Sequence, residues 1–214
     1  MEQPSVYIVD DDRDSRDSMA ALVESMGLKA HAFDSAESLI SEFEPHRPAC
    51  LVTDLRMPGL SGLDLQQKLV DENCTIPVIL VSAYATVRTA LTAMRTGAVT
   101  VLEKPYRDQE LSDAICEAIE HDRRQLAAQA ERQQLSALMN KLTAKERQVL
   151  DMITRGMPNK SVAKALSVSE RTIEDRRRSI MFKLHVKSFA ALMELALKAR
   201  GFEPDKVPAN GAKQ

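Results

Sequence analysis

The chain has 214 residues, long for one domain and comfortable for two, and 44% of them are hydrophobic, enough for real cores. No apolar run approaches the ~18 residues of a membrane span, and the N-terminus lacks the basic-then-apolar pattern of a secretory signal. The three cysteines (Cys50, Cys74, Cys116) have no CxxC spacing, so the composition points away from a membrane protein, a disulfide scaffold or a zinc framework and toward a reducing, cytoplasmic compartment.

The net charge of −2 hides two unlike halves. Residues 1–121 hold 10 Lys/Arg against 21 Asp/Glu, a net −11, and residues 143–200 hold 13 against 6, a net +7. Such a split predicts two jobs, with the basic half a candidate for nucleic acid.

Val6 to Val9 is a short apolar run that suits a buried strand, and it ends at once in Asp10-Asp11-Asp12. A helical pattern follows, with Met19, Leu22, Val23 and Met26 on one face and Gly27 as its stop. Lys29 to Phe33 alternates as a second strand, and Ser35 caps a helix carrying Leu39, Ile40 and Phe43 that Pro45 and Pro48 close. Cys50 to Thr53 reads as the third strand and Gly62 to Val70 as the third helix. Pro77 to Val81 is nearly continuously apolar, as a central parallel strand should be. Thr86 to Arg95 is helical, with Val87, Leu91 and Met94 spaced for one face, then Val99 to Leu102 is a fifth strand and a fifth helix starts at Gln109. Five strands alternating with five helices predict an α/β, doubly wound, flavodoxin-like parallel sheet.

In such a sheet every strand ends at the same edge. Strand one ends in Asp10 and Asp11, strand three in Asp54, strand four in Ser82 and strand five in Lys104. Three crowded carboxylates repel one another, which a hard divalent cation such as Mg²⁺ relieves through oxygen ligands. Lys104 and Ser82 add a cation and a hydroxyl for an anionic group, so the set suits phosphoryl transfer to a carboxylate. Asp12 reads as a loop acid or a helix cap and is left out of the site.

Residues 1–121 resemble the receiver domain of two-component response regulators, through VDDD (9–12), TDLRMPG (53–59), VSAYA (81–85) and EKPY (103–106) in order. The resemblance implies Asp54 as the phospho-acceptor, served by a sensor histidine kinase. It implies Mg²⁺ held by Asp10, Asp11, Asp54 and the backbone carbonyl of Arg56, with Ser82, Ala83 and Lys104 around the phosphoryl group and a cis Lys104–Pro105 peptide. Many receivers carry an aromatic ring or His three residues before the lysine; here that position is Val101. Either the switch runs without a rotating ring, or its coupling to the face of the fourth helix, fifth strand and fifth helix is altered.

From Leu111 to Lys141 the chain favours helix, without Gly or Pro. Leu111, Ile115 and Ile119 fit a face on the receiver, whereas Leu126, Leu135, Leu138 and Leu142 recur at near-heptad intervals. The segment 122–141 therefore reads as a helical linker, either solvated or paired with a second chain in a short coiled coil.

Thr143 to Glu146 forms a capping box before a helix with Val149, Leu150 and Ile153 inward, stopped by Gly156. Asn159 or Ser161 caps a short helix, and Ser169 a longer one through Leu184 with Ile173, Ile180 and Leu184 inside. That leaves Arg171, Thr172, Glu174, Asp175, Arg178 and Lys183 outward. A last helix with Leu192, Leu195 and Leu197 starts at Ser188, and a polar tail, 203–214, is expected to be disordered. Two helices and a short turn, the second helix bearing exposed basic residues, suit a DNA major groove. Residues 142–202 resemble the four-helix, LuxR-type helix-turn-helix domain of NarL/FixJ regulators, through Glu146, Gly156, Asn159-Lys160, Val168-Ser169, Arg171-Thr172-Ile173 and Lys183-Leu184. The resemblance implies that Thr172, Glu174, Asp175 and Arg178 face base edges, while Lys160, Arg171 and Lys183 meet phosphates. Asp175 departs from the common apolar residue, and an acid there can accept from cytosine N4.

The resulting expectation is a regulator rather than an enzyme: a phosphorylation-switched transcription factor on double-stranded DNA, a homodimer when phosphorylated, with RNA polymerase as a further partner and no membrane. Two rivals stand beside it. Asp10-Asp11-Asp12 also reads as the DxD of haloacid-dehalogenase-like phosphatases, with Asp10 as nucleophile, and a receiver that only dimerises would bind DNA without phosphorylation.

Overall fold

The computed structural model describes residues 3–84 and 86–201, with Arg200 and Gly201 described by backbone alone. The expected disordered tail, 203–214, lies outside the described residues. The chain divides into two compact units, Met1–Ala127 and Ala128–Gln214.

In the first unit five strands alternate with helices: β1 (Ser5–Val9), α1 (Arg13–Ser25), β2 (Lys29–Phe33), α2 (Ala36–Glu42), β3 (Ala49–Asp54), α3 (Gly62–Asp71), β4 (Val78–Ser82), α4 (Val87–Arg95), β5 (Ala98–Glu103) and α5 (Asp108–Asn140). The strands are all parallel, in the order β2-β1-β3-β4-β5, as the doubly wound expectation requires. Alternation sorts the strand side chains onto two faces. Tyr7, Val9, Leu51 and Leu80 pack with Leu39 of α2, Leu65 and Leu69 of α3 and Ala93 of α4. Val6, Ile8, Val52 and Ile79 pack with Met19 and Val23 of α1 and Leu111, Ile115 and Ile119 of α5.

The apolar spacing in α4 has a different outcome from the other helices. Val87 (78% exposed), Leu91 (53%) and Met94 (49%) lie outward, and Ala93 is the buried residue of this helix. Periodicity located the apolar face correctly but not what it faces.

The helical linker expected at 122–141 lies largely within α5, and the division of the units between Ala127 and Ala128 falls inside it. Asp122 is fully buried and accepts hydrogen bonds from the Ala49 N–H at 2.9 Å and from Arg47 Nε at 3.1 Å, which ties α5 to the start of β3. The leucines read as a possible coiled-coil seam have other employment: Leu142 is buried in the second unit's core, Leu138 packs against it, and Leu135 is only 9% exposed.

The second unit adds α6 (Ala144–Thr154), α7 (Asn159–Ala165), α8 (Glu170–Lys183) and α9 (Phe189–Gly201). Val149, Leu150, Ile153, Val162, Ile173, Ile180, Leu184 and Leu192 form its core. Thr143 and Ser169 cap α6 and α8 as expected. The N-cap of α7 is Pro158, without a side-chain cap bond, in place of Asn159 or Ser161; Asn159 instead accepts from Arg177 Nη1 at 2.6 Å. Of the three leucines read into the last helix, Leu192 is buried and Leu197 is 56% exposed.

One buried charge organises this unit. Glu146 is 6% exposed and accepts from Lys183 Nζ (2.7 Å), Ser179 Oγ (2.7 Å) and the Thr143 N–H (2.7 Å), joining α6 to α8. Burial alone would raise its pKa, but the Lys183 ammonium and the Ser179 and Thr143 donors outweigh it and hold the carboxyl down to about 2, against its ordinary 4.5.

Glu146 thus stays ionised in the fold to lower pH than in the unfolded chain. Its contribution, on the order of 3 kcal/mol, is complete above the unfolded value near 4.5 and is lost as pH falls toward 2. Urea unfolding of the second unit within the full chain, followed through amides of α6 and α8, should lose this stability in that window, and Glu146→Gln should remove most of that dependence. In the first unit, a Cβ on Gly62 would collide with the backbone carbonyl of Asp54 and lie 2.9 Å from Leu80 Cδ2. Gly62→Ala should cost on the order of 2 kcal/mol in denaturant unfolding and displace the amide signals of the loop after Asp54.

Candidate functional site

The parallel register brings the strand ends together: Val9 pairs with Thr53, Asp54 with Val81, and Ser82 with Glu103. Asp10 therefore follows β1 at the edge where Asp54 ends β3, Ser82 ends β4 and Lys104 follows β5, the edge at which open α/β sheets bind ligands. One oxygen from each of Asp10, Asp11 and Asp54 lies within 4.8 Å of the others.

Lys104 holds this cluster together. Its ammonium donates to Asp10 Oδ2 at 2.8 Å, to Asp54 Oδ2 at 3.0 Å and to Ser15 Oγ at 3.2 Å. Burial pushes its pKa down, and the carboxylates of Asp10 and Asp54 more than reverse this, leaving it above the ordinary lysine value. The Lys104–Pro105 peptide is cis, as the resemblance implies. One ammonium against three carboxylates leaves an excess of negative charge, and the all-oxygen donor set fits a hard divalent cation.

The two carboxylates bound by Lys104 differ in access. Asp10 is fully buried, and its side chain accepts from the Asp12 N–H (2.9 Å), Ser15 Oγ (2.7 Å) and Lys104. Asp54 is 15% exposed, with Oδ1 accepting the Arg56 N–H at 3.2 Å. Ser82 is 1% exposed and its hydroxyl accepts the Tyr84 N–H at 3.1 Å, while Ala83 is exposed beside it. Asp12, left out of the site, caps α1 through the Ser15 N–H. Val101 is half-buried and packs on the core formed with α2, α3 and α4.

Sequence reasoning missed three participants here. Ser15 bridges Asp10 and Lys104, and Arg16 Nη1 donates to the Asp10 carbonyl at 2.6 Å. Both lie in the first turn after the Asp12 cap, so their position was readable although their partners were not. Tyr84, 68% exposed, stands over the Arg56 guanidinium at 5.3 Å and links the loops that follow β4 and β3.

In the second unit Arg171, Glu174, Asp175 and Arg178 are exposed on α8, with Thr172 half-buried beside Ser169. Lys160 is exposed in the first turn of α7. Lys183 departs from expectation: its ammonium turns inward to Glu146 instead of outward to phosphate. Of the basic run 176–178, Arg177 is committed to Asn159 and to the Phe189 ring, 4.8 Å away. Arg178 pairs with Asp175 at 3.4 Å on the open surface, a contact of little energetic weight. Phe182, absent from the expected set, is 79% exposed and continues the stripe of Asp175 and Arg178 by one further turn.

Residues 6–116 match the response regulator receiver domain family, and residues 140–196 the family described as bacterial regulatory proteins of the luxR family. Nodulation protein W of Bradyrhizobium diazoefficiens is 38% identical over 191 residues, 89% of this chain and 84% of that protein. The transcriptional regulatory protein FixJ of Rhizobium meliloti is 38% identical over 203 residues, 94% of this chain and 98% of that protein. The structure of the response regulator StyR superposes with a TM-score of 0.84 at 36% identity, covering 92% of this chain and all (100%) of that one. The chain belongs to the response regulators of the NarL/FixJ type, with a receiver domain followed by a LuxR-type DNA-binding domain.

Proposed function

We propose that this response regulator is a cytoplasmic transcription factor switched by phosphorylation of Asp54. The observation that carries the reading is the Lys104 ammonium bound to both Asp10 and Asp54 within a cluster of three carboxylates. A carboxylate oxygen of Asp54 attacks phosphorus of a phosphohistidine on a sensor kinase, the phosphorus–nitrogen bond breaks, and the imidazole leaves. Asp10, Asp11, Asp54 and the carbonyl of Arg56 would hold Mg²⁺, which when bound neutralises charge on the phosphoryl oxygens. Lys104 gives up its bond to Asp54 Oδ2 for the new phosphoryl oxygens, and Ser82 turns its hydroxyl from Tyr84 toward them, with the Ala83 N–H beside it. Asp10 as nucleophile, the phosphatase-like rival, is disfavoured by its full burial and by the three donors already on its carboxylate.

The output follows from the surfaces. The outward apolar stripe of Val87, Leu91 and Met94 on α4 supports a homodimer formed when the site is phosphorylated, since apolar side chains in contact are more stable than exposed ones. Val101 fills the place of a rotating ring, so the movement of the loop carrying Ser82 and Tyr84 is the route by which phosphorylation reaches α4. The receiver, 1–121, is followed by the helical linker, 122–141, and the DNA-binding domain, 142–202. Thr172, Glu174, Asp175 and Arg178 read bases of double-stranded DNA, Arg171 and Lys160 meet phosphates, and RNA polymerase is recruited nearby.

Intact mass and light scattering on the full chain, with Mg²⁺ and a small phosphodonor, test this reading. Wild type should gain one phosphoryl group and pass from monomer to dimer, Asp54→Asn should do neither, and Leu91→Glu should be phosphorylated without assembling. Equal phosphoryl uptake by Asp54→Asn would overturn the assignment. Operator affinity that is identical with and without phosphorylation would favour the rival in which the receiver only dimerises.

A further inference from the structure

A buried carboxylate must find its hydrogen-bond donors within the protein, and Asp10, fully buried, finds them in the turn that enters α1. The Asp12 N–H donates to Asp10 Oδ1 at 2.9 Å, and the Asp12 carboxylate accepts the Ser15 N–H at 3.0 Å. The Ser15 hydroxyl then returns to Asp10 Oδ2 at 2.7 Å. Asp10, Asp12 and Ser15 thus close a ring of hydrogen bonds, one side of which is the N-cap of the helix. The cap that starts α1 also fixes the place of the Ser15 side chain.

The same hydroxyl also meets Lys104. Its oxygen accepts from Lys104 Nζ at 3.2 Å while its proton goes to Asp10, so it acts as donor and acceptor at once. An ammonium carries three N–H donors, and Lys104 directs them to Asp10 Oδ2 (2.8 Å), Asp54 Oδ2 (3.0 Å) and Ser15 Oγ. Phosphorylation of Asp54 requires the ammonium to give up one of these bonds, the one to Asp54 Oδ2, for phosphoryl oxygens. The other two decide how it moves. With both in place it turns about a fixed point. Without Ser15 it would be held by Asp10 alone, and Asp10 would depend on it more heavily, having lost a donor of its own.

We propose that Ser15 is a positioning residue for phosphoryl transfer to Asp54, acting through Lys104 and Asp10; the inference rests on the reading of Asp54 as the acceptor. By accepting one N–H of the ammonium, Ser15 aims another at the Asp54 carboxylate. By donating to Asp10, it lessens the hold of that carboxylate on Lys104, which is then free to follow the charge that develops on the phosphoryl group. Ser15 itself does not react, so it sets the rate of transfer and not the residue that accepts. The hydroxyl is the active feature. Threonine keeps it, valine has the shape of threonine without it, and alanine removes both the hydroxyl and the bulk.

Phosphoryl uptake by the full chain from acetyl phosphate at saturating Mg²⁺, followed by intact mass, tests this in wild type and three variants whose folding is checked by their amide spectra. Ser15→Val and Ser15→Ala should be phosphorylated about ten-fold more slowly than wild type, the loss of one hydrogen bond to a charged group, and Ser15→Thr should stay within about three-fold. The side-chain Cε–H signals of Lys104, assigned by their loss in Lys104→Arg, report on the ammonium without Mg²⁺ or phosphodonor. They should move in Ser15→Val and stay near the wild-type position in Ser15→Thr. If folded Ser15→Val and Ser15→Ala are phosphorylated as fast as wild type, the proposal is overturned while Asp54 stands as the acceptor. Equal slowing of Ser15→Thr and Ser15→Val, or a Lys104 signal that Ser15→Val leaves in place, also overturns it, because the hydroxyl would then not be acting on Lys104. Absence of uptake by wild type would overturn the reading of Asp54 and this inference with it.

Discussion

Carboxylates of Asp10, Asp11 and Asp54 converge within 4.8 Å, and Lys104 supplies the ammonium that makes their approach tolerable. Asp10 is fully buried, so its charge depends on the donors around it, and Lys104, Ser15 and the Asp12 N–H provide them. The five parallel strands exist, in this sense, to bring these groups to one edge. Gly62 packs its backbone against the Asp54 carbonyl, and the Leu55 N–H donates to Val81 at 2.8 Å, so Asp54 is held by neighbours on both sides. Access then separates the two carboxylates: Asp10 is saturated and enclosed, whereas Asp54 reaches the surface.

The second unit uses the same device for a different end. Glu146 is buried against Lys183, Ser179 and Thr143, and the pair locks α8 onto α6. A buried ion pair of this kind is a poor source of net stability compared with an apolar replacement, but breaking it by removing one partner is costly. Its effect is to fix the angle at which α8 presents Arg171, Glu174, Asp175 and Arg178. Arg177 adds to this by joining Asn159 of α7 and the ring of Phe189 in α9.

Most of the fold was legible because its signals are local. The apolar strand runs, the stops at Gly27 and Gly156, and the caps at Ser35, Thr143 and Ser169 are decided by neighbouring residues, and each falls where the sequence places it. Asp10, Asp54, Ser82 and Lys104 were legible for a related reason: strand ends in a parallel sheet share an edge. What escaped depends on contacts distant in sequence. Lys183 looks outward by helical phase, yet its long side chain reaches Glu146, 37 residues away. Ser15 and Arg16 could be placed in α1 but not paired with Asp10. Val87, Leu91 and Met94 form an apolar face that periodicity cannot assign to core or surface, and Leu138 and Leu142 look like a seam until the second unit's own core claims them. The division between Ala127 and Ala128 falls inside the linker read from the sequence at 122–141, within the single helix α5.

The central claim is that the acceptor is Asp54 and that Asp10 is not. Borohydride reduction of the phosphorylated full chain converts an aspartyl phosphate to homoserine, and peptide mass spectrometry then locates the modified residue. The account predicts homoserine at position 54 alone. Homoserine at position 10, with residue 54 left as aspartate, would contradict it.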